Sequence, residues 1–131
     1  MDDKPRIFVV AGILVNAAGE VLIAKRPAHL DQGGLWEFPG GKREQGESSL
    51  AALHRELAEE LDINVIRAEP YLSQDHEYPK KLVALEFFRV FDWEGTVRGA
   101  EGQQVAWVPP RLLGKYSFPA ANDIVVARLG T

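Results

Sequence analysis

Residues 41–63 read G-K-R-E-Q-G-E-S-S-L-A-A-L-H-R-E-L-A-E-E-L-D-I. A tight turn, Pro39-Gly40-Gly41, leads past an isolated carboxylate, Glu47, into an amphipathic helix. Ser48 or Ser49 is a candidate N-cap, and the helix is expected to run to about Leu61. At about 100° per residue, Glu56, Glu59 and Glu60 fall within roughly one third of the helix circumference. Leu50, Leu53, Leu57 and Leu61 form a separate apolar stripe. One face can therefore dock on a core while an adjacent face gathers three carboxylates. Like charges four residues apart destabilise an isolated helix. A divalent cation is the natural compensation, because hard cations such as Mg²⁺ take oxygen ligands from a few carboxylates and from substrate phosphates.

Outward from this stretch, residues 7–15 read as a strand, and Gly12 within it signals a bulge or a close backbone approach. Asn16 to Gly19 form a turn, and residues 20–25 read as the second arm of a hairpin. Residues 35–38 are short and extended. Residues 64–72 read as a strand that Pro70 pushes to a sheet edge or breaks. Residues 73–79 read as a polar loop, residues 81–91 as a long apolar strand, 93–95 as a turn and 104–108 as a short strand. Pro109-Pro110 opens a short helix that Gly114 ends. The last helix follows Asn122, with Val125, Val126 and Leu129 on its buried side. No repeat or linker divides the chain, so residues 1–131 are expected to form one domain. Strands and helices in this order predict an α+β fold or a mixed-sheet α/β sandwich.

The 131 residues are enough for a genuine core, and 46% hydrophobic with 26% charged residues is ordinary for a globular chain. There are no cysteines, which excludes disulfides and cysteine metal sites. The first residues show no secretory leader, and no apolar run approaches the roughly 20 residues of a membrane span. A cytoplasmic protein without membrane contact is expected. The net charge of −4 argues against stable binding to long nucleic acids. His29, His54 and His76 lack metal-ligand spacing, and no serine–histidine–acid pattern suggests acyl transfer.

The opening stretch resembles the Nudix box, G-x5-E-x7-R-E-U-x-E-E-x-G-U with U aliphatic. Gly41, Glu47, Arg55, Glu56, Leu57, Glu59, Glu60 and Ile63 match it. Asp62 departs from it, standing where the family usually has glycine after the helix end. Aspartate tolerates the left-handed conformation better than most residues, so the departure concerns local geometry rather than chemistry. The resemblance implies the Nudix α/β/α sandwich, with a curved mixed β-sheet between helices. It implies Glu59 and Glu60 as metal ligands and Glu56 as ligand or base, with Gly40 and Gly41 bringing backbone carbonyls near the metal. It gives Arg55 the role of orienting box carboxylates such as Glu47, a role a guanidinium performs bidentately. The plain alternatives are a solvated acidic helix face, a tight turn and a surface salt bridge.

Segments outside the box resemble the MutT branch. Arg26, Leu35-Trp36-Glu37-Phe38-Pro39-Gly40-Gly41-Lys42 and Phe118-Pro119-Ala120-Ala121-Asn122 carry this likeness. So does Glu101, in a glycine-flanked loop before Trp107, where the branch has a glutamate that serves the metal site or the base. The likeness implies that Asn122 reads a purine edge, since an amide offers both donor and acceptor; otherwise Asn122 caps the last helix. Arg26, Glu37, Phe38, Pro39, Gly40 and Lys42 are the further substrate-contact candidates, with Tyr78, Lys81 and His29 behind them. The implied activity is Mg²⁺-dependent hydrolysis of a nucleoside triphosphate, with Mn²⁺ as a substitute. The implied substrate is 8-oxo-dGTP, attacked at the β-phosphorus and split to 8-oxo-dGMP and pyrophosphate. The implied partner is this small molecule alone, with the chain a monomer or weak homodimer. The stretch from Asp31 to Phe38 also resembles pyrimidine-acting relatives, which keeps CTP, a modified pyrimidine triphosphate or a general dNTP open. A binding module without turnover is the reading from another class; such modules usually lose box carboxylates, and here all are present.

Overall fold

The computed structural model describes residues 4–30 and 33–130. Asp31 and Gln32, which open the stretch likened to pyrimidine-acting relatives, lie outside the described residues, as do Met1 to Asp3. Among the described residues seven strands and two helices follow one another: β1 (Arg6–Leu14), β2 (Val21–Lys25), β3 (Trp36–Glu37), β4 (Gly40–Lys42), α1 (Ser49–Leu61), β5 (Asn64–Tyr78), β6 (Lys81–Glu94), β7 (Val105–Val108) and α2 (Asp123–Leu129). Two 3₁₀ turns, Pro110–Lys115 and Ala120–Asn122, precede α2. A mixed sheet has the order β4-β1-β6-β5, with β1 and β6 parallel. An antiparallel sheet, β3-β2-β7, stands beside it.

β1 is the spine of the structure because its two faces feed two cores. Val10 and Leu14 point to the core that α1 closes with Ala52, Leu53, Leu57 and Leu61. Ala11 and Ile13 point to the opposite core, closed by Leu113, Ala121 and Val125. This alternation is the period-two geometry of a strand buried on both sides. Gly12 marks a close approach: a Cβ there would stand 3.1 Å from Leu57 Cδ1. Each fully buried leucine of α1 is worth roughly 1.5–3 kcal/mol of transfer free energy. Leu50, on the same stripe but in the first turn, is 45% exposed.

Three local expectations change. β1 and β2 share only the bridge between Val15 and Val21 and then part into different sheets. The edges of β1 are taken by β6 and β4, which leaves no ladder for a hairpin partner. β5 does not end at Leu72 but pairs with β6 as far as Tyr78, and Pro79-Lys80 alone make the turn. Its second half is polar because it is an edge strand, steadied by Arg6 on Asp75 at 2.7 Å and by Lys4 on Glu77. Pro70 indeed sits on that edge, beside a register shift between Pro70 and Leu72. β6 runs through Trp93 to Glu94, because that ladder continues to Asn64.

The ends of α1 are well satisfied. Ser48 is the N-cap, its Oγ accepting from Ala51 N at 3.1 Å. Asp62 caps the other end in the left-handed region (φ 58°, ψ 42°), the position where glycine is usual in the box. The replacement Asp62→Gly relieves roughly 1 kcal/mol of left-handed strain but frees the unfolded chain by a similar amount. Urea unfolding should therefore place Asp62→Gly close to wild type and Asp62→Val about 1–2 kcal/mol below it.

Candidate active site

α1 is seated by its leucines, so its neighbouring arc faces β4 and the loops around it. Glu56 and Glu60 lie on that arc one turn apart. The Glu56 side chain is 17% exposed, while Glu59, rotated further out, is 54% exposed. Glu60 Oε2 accepts from Gly40 N at 3.0 Å. The Glu56 carboxylate packs where Gly41 would carry a side chain, since a Cβ there would stand 2.3 Å from Glu56 Oε2. Only glycine lets β4 and the helix carboxylates meet this closely.

Arg55 organises the same neighbourhood. Its Nε and one Nη donate to Glu47 at 2.7 and 2.9 Å, a bidentate grip. It also donates to Glu56 Oε1 at 2.8 Å and to the Lys42 carbonyl at 3.0 Å. The guanidinium thus ties the loop before α1, strand β4 and Glu56 together. This grip lowers the Glu47 carboxyl to about 2 and raises Arg55.

The Glu101 loop is held against the other end of α1. Ala100 N donates to Glu60 O at 2.9 Å and Arg98 N to Leu61 O at 3.2 Å, satisfying carbonyls that a helix end leaves open. Gln103, which the sequence reading passed over, donates from Nε2 to Glu60 O at 2.8 Å and accepts from Glu101 N at 3.0 Å. Its only sequence signal was its place at the end of the glycine-flanked loop. Glu56, Glu60, Glu101, Glu37, Gly40 and Arg26 consequently line one cavity of about 220 Å³. Glu59 is not on its wall and instead approaches Arg55 at 3.6 Å.

A second cavity, of about 180 Å³, adjoins the first and shares Arg26, Glu37 and Gly40 with it. Gly41, Lys42, Tyr78, Lys81 and Asn122 also line it. Arg26 donates to Glu37 at 3.2 Å at the junction. Asn122 is 7% exposed and occupies the N-cap position of α2, yet its side chain makes no cap hydrogen bond. Its Nδ2 reaches the Pro119 carbonyl at 3.5 Å, long for a hydrogen bond, so the amide remains available to the cavity. Phe38 and Pro39 do not line the cavity. Phe38 is buried between Phe87 and Phe118, with ring centroids at 5.9 and 5.4 Å, and Pro39 offers its carbonyl to Gly12 N at 2.8 Å.

The electrostatics are those of crowded acids. Burial raises Glu60 to about 9, and the charges of Glu37, Glu56 and Glu101 push the same way. Burial also raises Glu56, against the pull of Arg55, and raises Glu37, against Arg26. Among the described residues no three acidic or histidine side chains form a finished metal cage. The donor set nevertheless fits a hard divalent cation: all oxygen, excess negative charge and partly desolvated. A cation there would be held by Glu56 and Glu60 beside the backbone of Gly40 and Gly41.

These shifts set a stability profile for the metal-free protein. Glu60 is raised above its ordinary 4.5, so the unfolded chain ionises first and stability falls as pH rises from about 4.5 to about 9. Glu47 is lowered, so its contribution is present above 4.5 and is lost as pH falls toward 2. Urea titrations in chelator should show highest stability near pH 4.5, and Glu60→Gln should flatten the alkaline decline. An equal decline in the variant would refute the assignment to Glu60.

Comparison with known proteins identifies the family. The NUDIX domain family model matches residues 10–128. An 8-oxo-dGTP diphosphatase of Haemophilus influenzae is 40% identical over 127 residues, 97% of this chain and 93% of the relative. A CTP pyrophosphohydrolase of Escherichia coli is 37% identical, covering 89% and 87%. A solved structure from work on MutT of Aliivibrio salmonicida and Vibrio cholerae superimposes with a TM-score of 0.83 at 43% identity, covering 95% of this chain and 97% of the other. This chain belongs to the Nudix hydrolase family, in its MutT-like branch.

Proposed function

We propose that the protein hydrolyses a nucleoside triphosphate to the monophosphate and pyrophosphate, with Mg²⁺ as its metal, Mn²⁺ as a substitute and 8-oxo-dGTP as its preferred substrate. The observation that carries this reading is the meeting of two cavities at Arg26, Glu37 and Gly40. One holds a carboxylate cluster suited to a cation and a diphosphate. The other ends at Asn122, whose amide can donate to and accept from a purine edge. A nucleotide laid across the junction places its base by Asn122 and its phosphates by Glu56 and Glu60.

In this reading a carboxylate of the cluster, with Glu56 the best-held candidate, takes a proton from the attacking water. The water oxygen bonds to the β-phosphorus, the bond from that phosphorus to the bridging α–β oxygen breaks, and the oxygen leaves on the nucleoside monophosphate. A bound divalent cation supplies charge neutralisation at the phosphates. Arg55 keeps Glu56 oriented, and Lys42 and Arg26 offer cationic contacts to the phosphates. Glu59, 3.6 Å from Arg55 and off the cavity wall, would reach a bound cation only by leaving that guanidinium, and Glu101 adds its carboxylate to the cavity wall. Hydrolysis of 8-oxo-dGTP keeps oxidised guanine out of DNA, a sanitising role in the nucleotide pool that fits a cytoplasmic protein acting alone or as a weak dimer.

The test is kcat/KM for 8-oxo-dGTP, dGTP and CTP, with pyrophosphate and phosphate followed separately. The expected result is pyrophosphate release, with 8-oxo-dGTP preferred over dGTP by at least about tenfold and over CTP by more; a single well-placed hydrogen bond supplies a factor of this size. Equal rates for 8-oxo-dGTP and dGTP, or CTP preferred, would remove the sanitising role. Glu56→Gln should lower kcat by about 100-fold or more, the scale of a lost general base.

A further inference from the structure

Asp62 stands where the box has glycine, and among the described residues it is the one non-glycine residue with a positive φ. A glycine would make the same turn without strain. The aspartate brings something a glycine lacks, a carboxylate, and Arg98 Nε donates to its Oδ2 at 3.1 Å. Arg98 lies between β6 and β7 and is the last charged side chain before Glu101.

The segment from Gly95 to Gln103 crosses the end of α1. The turn at Gly95 (φ 99°) brings it over the cap, where a Cβ on that glycine would stand 3.0 Å from Asp62 O. Arg98 N and Ala100 N then bond the open carbonyls of Leu61 and Glu60 at 3.2 and 2.9 Å. A tight turn follows, Gly102 N donating to Gly99 O at 3.0 Å, and its Glu101 reaches the wall of the carboxylate cavity. Side chains bracket this turn. Gln103 holds the chain after Glu101, donating from Nε2 to Glu60 O at 2.8 Å, and Arg98 on Asp62 holds the chain before it.

We propose that Asp62 is a positioning residue for the active site: through Arg98 its carboxylate holds the Glu101 turn against α1 and so sets the place of the Glu101 carboxylate relative to Glu56 and Glu60. The inference rests on the reading of these acids as a cation site and names the residue that places one of them. The tether has a load to oppose. Glu101 faces Glu56 and Glu60, and its charge pushes both of their carboxyls upward, so repulsion drives the turn outward before a cation arrives. The opposing pull is modest, because both side chains of the Asp62–Arg98 pair are 62% exposed. Its effects are accordingly expected at about threefold, the scale of an exposed ion pair.

The test sets wild type beside Asp62→Asn, Asp62→Gly and Arg98→Ala. Asparagine and glycine both accept the left-handed cap, so these two substitutions keep the helix end and remove only the charge. In the metal-free protein the amides of Arg98 and Ala100 should exchange with solvent about threefold faster in each variant, while urea stability stays near wild type. Mn²⁺ should bind about threefold more weakly in each. With Glu101→Gln already present, adding Asp62→Asn should leave Mn²⁺ affinity unchanged, because the tether then places no carboxylate. Wild-type exchange rates in the variants, wild-type Mn²⁺ affinity in Asp62→Asn, or an equal loss of affinity with Glu101→Gln present would each overturn the role of Asp62 and leave the cation site standing. Failure of the wild type to bind Mn²⁺ would overturn the cation reading itself, and this role with it.

Discussion

A half-buried carboxylate, Glu60, set beside Glu37, Glu56 and Glu101, is held in this fold against both desolvation and like charge. Desolvation and like-charge repulsion both act against it, and no packing requirement of α1 calls for an acid there. The rest of the structure makes sense as the apparatus that holds this cluster in place. The leucines of α1 dock on β1 over Gly12 and fix the helix rotation. That rotation turns Glu56 and Glu60 toward β4, where Gly41 leaves room for the Glu56 carboxylate, Gly40 lets β4 press against β1, and Gly40 N donates to Glu60.

Two sets of polar contacts lock the cluster from either end of the helix. At the N-terminal side Arg55 joins Glu47, Glu56 and the Lys42 carbonyl. At the C-terminal side the loop that carries Glu101 closes the open carbonyls of Glu60 and Leu61. The second device serves two purposes at once. It satisfies backbone groups that a buried helix end must not leave bare, and it delivers a fourth carboxylate to the cavity wall. The geometry therefore arises from backbone satisfaction as much as from the acids themselves.

Much of this was legible in the residues because it is local. The Ser48 cap, the end of α1 near Leu61, the left-handed Asp62 and the edge position of Pro70 each follow from chemistry within a few positions. What was not legible depends on pairing between distant segments. The division into two sheets follows from which strands occupy the edges of β1, and nothing near Val15 or Val21 encodes it. The strand from Ser73 to Tyr78 was hidden because an edge strand can be polar on its residues yet still hold a complete ladder. The outward turn of Glu59 and the burial of Phe38 away from the cavity are matters of a few tens of degrees and of core packing, below what spacing can resolve. Gln103 carried no motif, because its work is a hydrogen bond to a helix end distant in sequence.

The central claim is that the half-buried acids of α1, Glu56 and Glu60, exist to hold a divalent cation. The most direct measurement is Mn²⁺ binding followed by water proton relaxation in wild type and Glu60→Gln, with folding of both checked by circular dichroism. The account predicts binding by the wild type and at least about tenfold weaker binding by the variant, the scale seen when a metal site loses a supporting group. Equal affinity in a folded variant would contradict it, because the costly desolvation of Glu60 would then have no part in the metal site.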